Sequence, residues 1–316
     1  MNLNANGTLV NQDGLQLQGY MQLPTGQLST QLSSVTVQTA SLPPVATTTM
    51  NITANLDANA TPPALAWDAQ NPAATSNFST SLTAYDSLGN SHVVNVYFQN
   101  TGAGQWTYHA LANGSEVTGG TPGQNFEFGT GTITFNTSGA LQSVTPTGGA
   151  VTFNGASAQN IAVNLGTSIA AGGTGLNGTT QFGGTSDVTS QNQDGYASGD
   201  LSGVSIDQSG DVSGVYTNGQ TIKVAQIAVA KFQDNQGLQS VGQNLFSATV
   251  TSGDPALGAA GSGGRGAIDS GALEQSNVDI SSQFVDLIAH QQGFQANSKT
   301  IQTANQMLSD LMQLQT

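Results

Sequence analysis

The chain has 316 residues, room for about two domains at roughly 150 residues each and enough to bury real cores. Four Lys+Arg against eighteen Asp+Glu give a formal charge of −14, yet charged residues are only 7% of the chain, where an ordinary soluble domain carries about 25%, so the surface must be built from Asn, Gln, Ser, Thr and Gly. Lys223, Lys231, Arg265 and Lys299 form no patch, which excludes nucleic acid and anionic lipid as partners, and the absence of cysteine excludes disulfides, thiolate metal sites and cysteine nucleophiles.

Residues 1–40 read as short strands punctuated by turns. Asn6-Gly7 and Asp13-Gly14 tolerate positive φ and separate Leu3, Leu9-Val10 and Leu15/Leu17, the pattern of a tight β-meander. Pro43-Pro44 is a stiff crossing into a new unit, because a Pro pair favours extended backbone and blocks helix. Strands then follow at 78–85, 92–98 (Val94, Val96 and Phe98 on one face), 105–111, 126–128, 132–135, 151–153 and 161–165. With Asp86-Ser87-Leu88-Gly89-Asn90 and Thr101-Gly102-Ala103-Gly104 as hairpin loops, the pattern predicts an antiparallel all-β domain.

Residues 166–192 are rich in Gly, Thr and Ser and read as loop, with one strand around Phe182. A second β-series begins after Gly195-Tyr196, at 201–206 and 214–216, and ends in 222–232, which reads as the strongest strand, entered through an Asn218-Gly219 turn. Residues 251–266 are a further Gly/Ser loop. The period then changes. The run Ser276-Asn277-Val278-Asp279 offers several N-cap oxygens, and Ile280, Leu287, Phe294, Ile301 and Leu308 recur every seven residues, with Phe284, Ile288, Ala304, Leu311, Met312 and Leu314 widening the stripe. This predicts a helical rod of roughly 50 Å whose partner helix is absent from the rest of the sequence.

Catalytic and metal chemistry finds little support. There is no Gly-x-Ser-x-Gly, and His92, His109 and His290 share no ligand spacing and sit in dissimilar settings, so each reads as a packing or surface residue. Asp207-Gln208-Ser209-Gly210-Asp211 resembles half of a calcium loop but lacks the closing Glu, so a hairpin turn is the better reading. Gly261-Ser262-Gly263-Gly264-Arg265-Gly266 matches G-x-G-x-x-G outside any βαβ unit and reads as linker. No catalytic residue, cofactor or metal is expected, and no apolar run approaches the roughly 20 residues of a membrane span. The helix face opposite the stripe is Gln, Asn, Ser and Thr, with only Asp286, Lys299 and Asp310 charged beyond Asp279; such a helix is better buried among copies of itself than exposed.

The run Gly271-Ala272-Leu273-Glu274-Gln275-Ser276-Asn277-Val278-Asp279-Ile280 resembles the signature ahead of the C-terminal helix of bacterial flagellar axial proteins. Residues 291–303, including Gln295, Ala296 and Asn297, resemble the helix itself. The segment from Tyr85 to His92, leading into Val96-Tyr97-Phe98 and Trp106, is similar to the inserted outer β-domain of flagellar hook proteins, and 9–20 with 195–216 to the two halves of their inner β-domain. Axial proteins of this kind carry an N-terminal helix and β-structure ahead of the Leu9-Val10 region; this sequence starts after both, so a shortened chain is expected.

The resemblance implies a mainly β fold, with an inner β-domain at 1–43 and 193–272, an outer one inserted at 44–192, and an axial helix at 273–316. It implies a non-enzymatic subunit of the hook, outside the cell, polymerising with itself into a flexible tube that couples motor torque to the filament. Other axial proteins at the hook ends, a hook cap and the export machinery are the further partners. The polymer interface is expected at Ile280, Phe284, Leu287, Ile288, Phe294, Ile301, Leu308 and Leu311. A distal rod protein and a secreted β-rich adhesin are the alternatives.

Overall fold

The computed structural model describes residues 1–38 and 41–313. They fall into two compact units that divide between Ile268 and Asp269. The first is all β apart from two short helical turns, Pro72–Thr75 and Ile169–Ala171, and buries two hydrophobic cores; the second contains the helix Ile280–Gln313.

The smaller core is built from both ends of the first unit. Its sheet runs Leu201–Ile206, Asp211–Tyr216, Thr221–Ile227, Gln18–Gln22, Leu28–Ser34, with every neighbour antiparallel. Period-two alternation turns Val212, Ala225 and Ile227 inward, where they meet Leu9, Val35 and Val37. The turns are set by side chains. Asp207 Oδ1 accepts the N–H groups of Ser209 and Asp211, Asn218 Oδ1 accepts that of Gln220, and Gly210 and Gly219 take the positive φ that follows.

The larger core is covered by the sheet Leu141–Gly148, Asn125–Phe135, Gln105–Asn113, Ser91–Gly102, Phe78–Tyr85, antiparallel throughout. Phe78–Tyr85 and Ser91–Gly102 pair without a bulge from Phe78 opposite Phe98 to Tyr85 opposite Ser91. Val94, Val96 and Phe98 point into the core, as the alternation predicts. Against this sheet, Met50, Ile52 and Ala54 of Thr49–Asn55 supply the second wall. That strand pairs antiparallel with Asp187–Gln193 and, on its other side, parallel with Ala162–Asn164. The chain enters and leaves this core side by side: Leu42 and Gly199 exchange backbone hydrogen bonds, as do Val45 and Tyr196.

Several expected elements differ in detail. Segments 126–128 and 132–135 are one strand, because Gly129 and Gly131 continue the ladder; a Cβ at Gly131 would collide with the Tyr108 ring that lies over it. Leu141–Gly148 contains Pro146, a residue tolerated there because the strand is at the sheet edge. The region read as loop holds the strand Asp187–Gln193, while Phe182 lies outside any strand. Its sequence has no apolar alternation. The 222–232 strand is two, Thr221–Ile227 and Val229–Lys231, in different sheets; between them the Ala228 N–H donates to the Gln18 carbonyl.

Val229–Lys231 pairs with Ala256–Gly258, inside the stretch expected to be pure loop. Arg265 fastens this ribbon. Its Nε donates to Val229 O at 3.1 Å, and Nη2 to Ala256 O and Leu257 O, both at 2.9 Å, so the arginine of the G-x-G-x-x-G stretch ties the two strands together. Arg265→Lys retains the charge but not the planar fork. It is expected to cost about 1–2 kcal/mol and to raise amide hydrogen exchange at 229–231 and 256–258 selectively. Exchange unchanged at those positions would show that the fork is dispensable.

In the second unit the helix begins where the capping oxygens predict. Asp279 Oδ1 accepts the Ser281 N–H at 2.8 Å, and its carbonyl accepts the Gln283 N–H at 3.1 Å. The expected boundary at 273 therefore precedes the helix proper by seven residues of irregular chain. The 34 residues of the helix span about 51 Å at 1.5 Å per residue. Leu314 lies outside the described residues, as does the Leu311 side chain.

Candidate functional site

The strongest functional feature is the apolar stripe of the helix. Ile280, Phe284, Leu287, Ile288, Phe294, Ile301 and Leu308 are all between 50% and 75% exposed. Seven residues advance an α-helix by a little less than two turns, so the stripe drifts by about 20° per heptad and needs a supercoiled partner to stay covered. Each such side chain that becomes buried contributes on the order of 1–2 kcal/mol. Val278, Ile280, Phe284 and Leu287, with Gln283, frame one apolar depression at the helix start.

The signature residues fall in two places. Leu273, Glu274, Ser276, Asn277 and Val278 occupy the irregular approach, where Ser276 Oγ accepts the Val278 N–H, and Asp279 caps the helix. Gln295, Ala296 and Asn297 are exposed in mid-helix, and the Ala296 carbonyl accepts the Thr300 hydroxyl. None of them assembles a catalytic constellation with the others.

The groups with chemical potential are engaged structurally. His92 stacks on Phe153 at 3.7 Å, with Nδ1 2.7 Å from Glu116 Oε2 and Nε2 3.3 Å from Asp86 Oδ2. His109 stacks on Trp67 at 3.8 Å, with Nδ1 2.6 Å from Glu127 Oε1, while Trp67 Nε1 donates to the other oxygen of that carboxylate. Of the three settings expected to be dissimilar, those of His92 and His109 are alike, each ring being held by an aromatic face and a carboxylate, while His290 is exposed on the helix. Apart from Asp86, which lies in the same hairpin as His92, the partners of His92 and His109 come from distant parts of the sequence, which spacing does not reveal.

Asp86 is fully buried. Burial raises its pKa, but hydrogen bonds from the Asn90 side chain and N–H, from His92 and from the Leu88 N–H outweigh that and hold the carboxyl below the ordinary aspartate range. Residues 207–211 join two paired antiparallel strands, with the Asp207 N–H donating to the Asp211 carbonyl, so the half calcium loop is a hairpin turn; Asp207 is also held low, chiefly by the Ser209 hydroxyl and the Asp211 N–H. An open cleft of about 810 Å³ lies where Gln18–Gln22 and Thr221–Ile227 diverge, lined mainly by Met21, Leu23, Pro24, Val37, Ile222 and Val224. Lys223 is the one charged residue on its wall, and its ammonium is 2.6 Å from Asp211.

A double-cored β unit followed by a long helix with an uncovered seam is the architecture that the axial-protein resemblance implies, and the comparisons show the family. Residues 55–196 match the family described as flagellar basal body protein FlaE D2 domain, and 269–314 match the flagellar basal body rod FlgEFG protein C-terminal family. The chain is 35% identical to the flagellar hook protein FlgE of Salmonella typhimurium, over 99% of this chain and 75% of that one. It is 34% identical to those of Escherichia coli K12, with the same coverage, and Treponema pallidum, over 98% and 73%. The crystal structure of Helicobacter pylori flagellar hook protein FlgE2 has the same fold, with TM-score 0.56 at 15% identity over 81% of this chain and 86% of the other. The chain belongs to the flagellar hook protein FlgE family. It is accordingly a structural protein of the flagellar hook, and the rod and adhesin alternatives fall away.

Proposed function

We propose that the helix Ile280–Gln313 is the innermost assembly element of a hook built from copies of this chain, and that Ile280, Phe284, Leu287, Ile288, Phe294, Ile301, Leu308 and Leu311 form its polymer interface. The observation that carries this reading is the seam itself: a continuous row of exposed apolar side chains on a helix with almost no charge to solvate it. Head-to-tail contacts that do not close generate an open filament rather than a ring. The two separate cores support a division into an inner β-domain, 1–43 with 193–272, and an outer β-domain, 44–192, each meeting its equivalent at its own radius.

Flexible coupling follows from the surface chemistry. A bending tube requires outer contacts that slide. Asn, Gln, Ser and Thr exchange hydrogen bonds with water at a net loss of about 0.5–1.5 kcal/mol each, whereas ion pairs would lock one register. The other axial proteins, a cap and the export machinery join this scheme as partners at the ends and during assembly.

The free helix is marginal, because Gly293 and the many Ser, Thr and Asn residues lower its intrinsic propensity and its seam finds no cover. Circular dichroism of the dissociated subunit is expected to show little helix, with helical signal rising as tubes appear by electron microscopy. A subunit whose 280–313 amides are fully protected from exchange before assembly would contradict the proposal.

A further inference from the structure

The first unit carries a second surface that its own fold does not use. Across residues 232–257 Ser252 is the one buried residue, and the segment contributes to neither core. It is held together by its own polar ties: Thr249 Oγ1 donates to the Gly237 carbonyl at 2.6 Å, and Ser252 Oγ to the Thr249 carbonyl at 3.0 Å. On that frame Gln239–Gly242 and Leu245–Ser247 form a two-stranded ribbon that joins no larger sheet among the described residues.

Such a ribbon is marginal in water without a packed face. This one also holds Gln243 and Asn244 at φ +54° and +58°, a left-handed conformation that Asn tolerates and Gln disfavours. Two of its apolar side chains are turned outward, Val241 at 60% exposed and Phe246 at 64%, and Val250, three residues beyond the ribbon, is fully exposed. These costs are offset when another surface covers the ribbon.

Charge identifies the surface. No charged residue occurs from 235 to 253, in a chain whose net charge is −14. Copies of such a chain repel one another, and they approach at least cost where neither face is charged. A cationic partner would find no counter-charge on the ribbon. We infer that the 239–247 ribbon is a contact surface for a second copy of this chain, its exposed apolar side chains seated on a charge-poor face of the neighbour. The inference rests on the polymer reading and places one of its β-unit contacts on a particular ribbon, independent of the helix seam. A ribbon on one copy meeting a different face on the next is a heterologous contact, the kind that propagates along a filament.

The absence of cysteine makes the test direct. Phe246→Cys and, separately, Val241→Cys are labelled with a maleimide in the assembled polymer and in the dissociated subunit. Labelling is expected to slow roughly tenfold or more in the polymer, as for side chains at the dry centre of an interface. Polymers that label at the subunit rate overturn this inference and leave the polymer reading standing. A chain that forms no polymer overturns both. Protection confined to a small fraction of subunits at polymer ends would assign the ribbon to a different protein and overturns the inference as well.

Discussion

Phe294→Asp is expected to abolish polymer formation while leaving the thermal unfolding of the Met1–Ile268 unit unchanged. Phe294 lies in the middle of the seam, 75% exposed in the subunit. In the proposed interface its burial against neighbouring copies would contribute on the order of 2 kcal/mol per subunit. Replacement by a carboxylate removes that contribution and places a charge in an apolar contact that offers it no cation, at a cost of several kcal/mol. Because the loss recurs at every subunit, growth stops rather than slows. Sedimentation and electron microscopy report the polymer, and Phe294→Leu, which keeps an apolar side chain, is expected to retain it. An aspartate variant that polymerises at native yield would remove the seam from the interface.

Asp86→Ala is expected to destabilise the larger core by about 3 kcal/mol, because it orphans the Leu88 and Asn90 N–H groups, the Asn90 amide and one side of His92 together. The loop it closes sets the register between Phe78–Tyr85 and Ser91–Gly102, so the damage is not confined to the surface. The same carboxylate gives stability a pH dependence of known sign. Its folded pKa lies below its unfolded value, so in acid the unfolded chain binds the proton first. The contribution is fully present above the unfolded value and is lost as pH falls through the folded one. Melting temperature measured from about pH 5 downward is expected to fall in the native chain and to fall less in Asp86→Asn. Asp194 and Asp207, also held low by hydrogen bonds, keep the residual slope from vanishing. An Asn variant with the native slope would show that Asp86 is not the group responsible.

Much of this fold is legible where chemistry and periodicity coincide. Phe78–Tyr85 alternates cleanly and ends at an Asp-x-x-Gly-Asn turn, and its bounds were readable to the residue. The helix announces itself through its heptads and through Asp279. Asp187–Gln193 was not legible, because its hydrogen bonds to Thr49–Asn55 are made by backbone and its polar side chains carry no hydrophobic signal. Pro146 and the glycines at 129 and 131 look like breaks in sequence, and only the edge position of one strand and the Tyr108 ring over the other explain why the ladder continues. The seam residues were readable as a stripe. The His92–Glu116 and His109–Glu127 pairs were not, since each joins segments that come together only in the folded sheet.

The paired crossings Leu42 with Gly199 and Val45 with Tyr196 have a consequence for how such a chain can change over time. Asp194 braces the same place, its carboxylate accepting the Thr48 and Thr49 N–H groups. Because the path out to the larger core and the path back lie against each other, everything beyond the crossing hangs from a closed stem. Lengthening, shortening or exchanging that appendage leaves the distance between the two stem strands unaltered, so the sheet beneath need not move to accommodate it. A gene can therefore vary the larger β-region at one joint while the sheet of the smaller core stays constant.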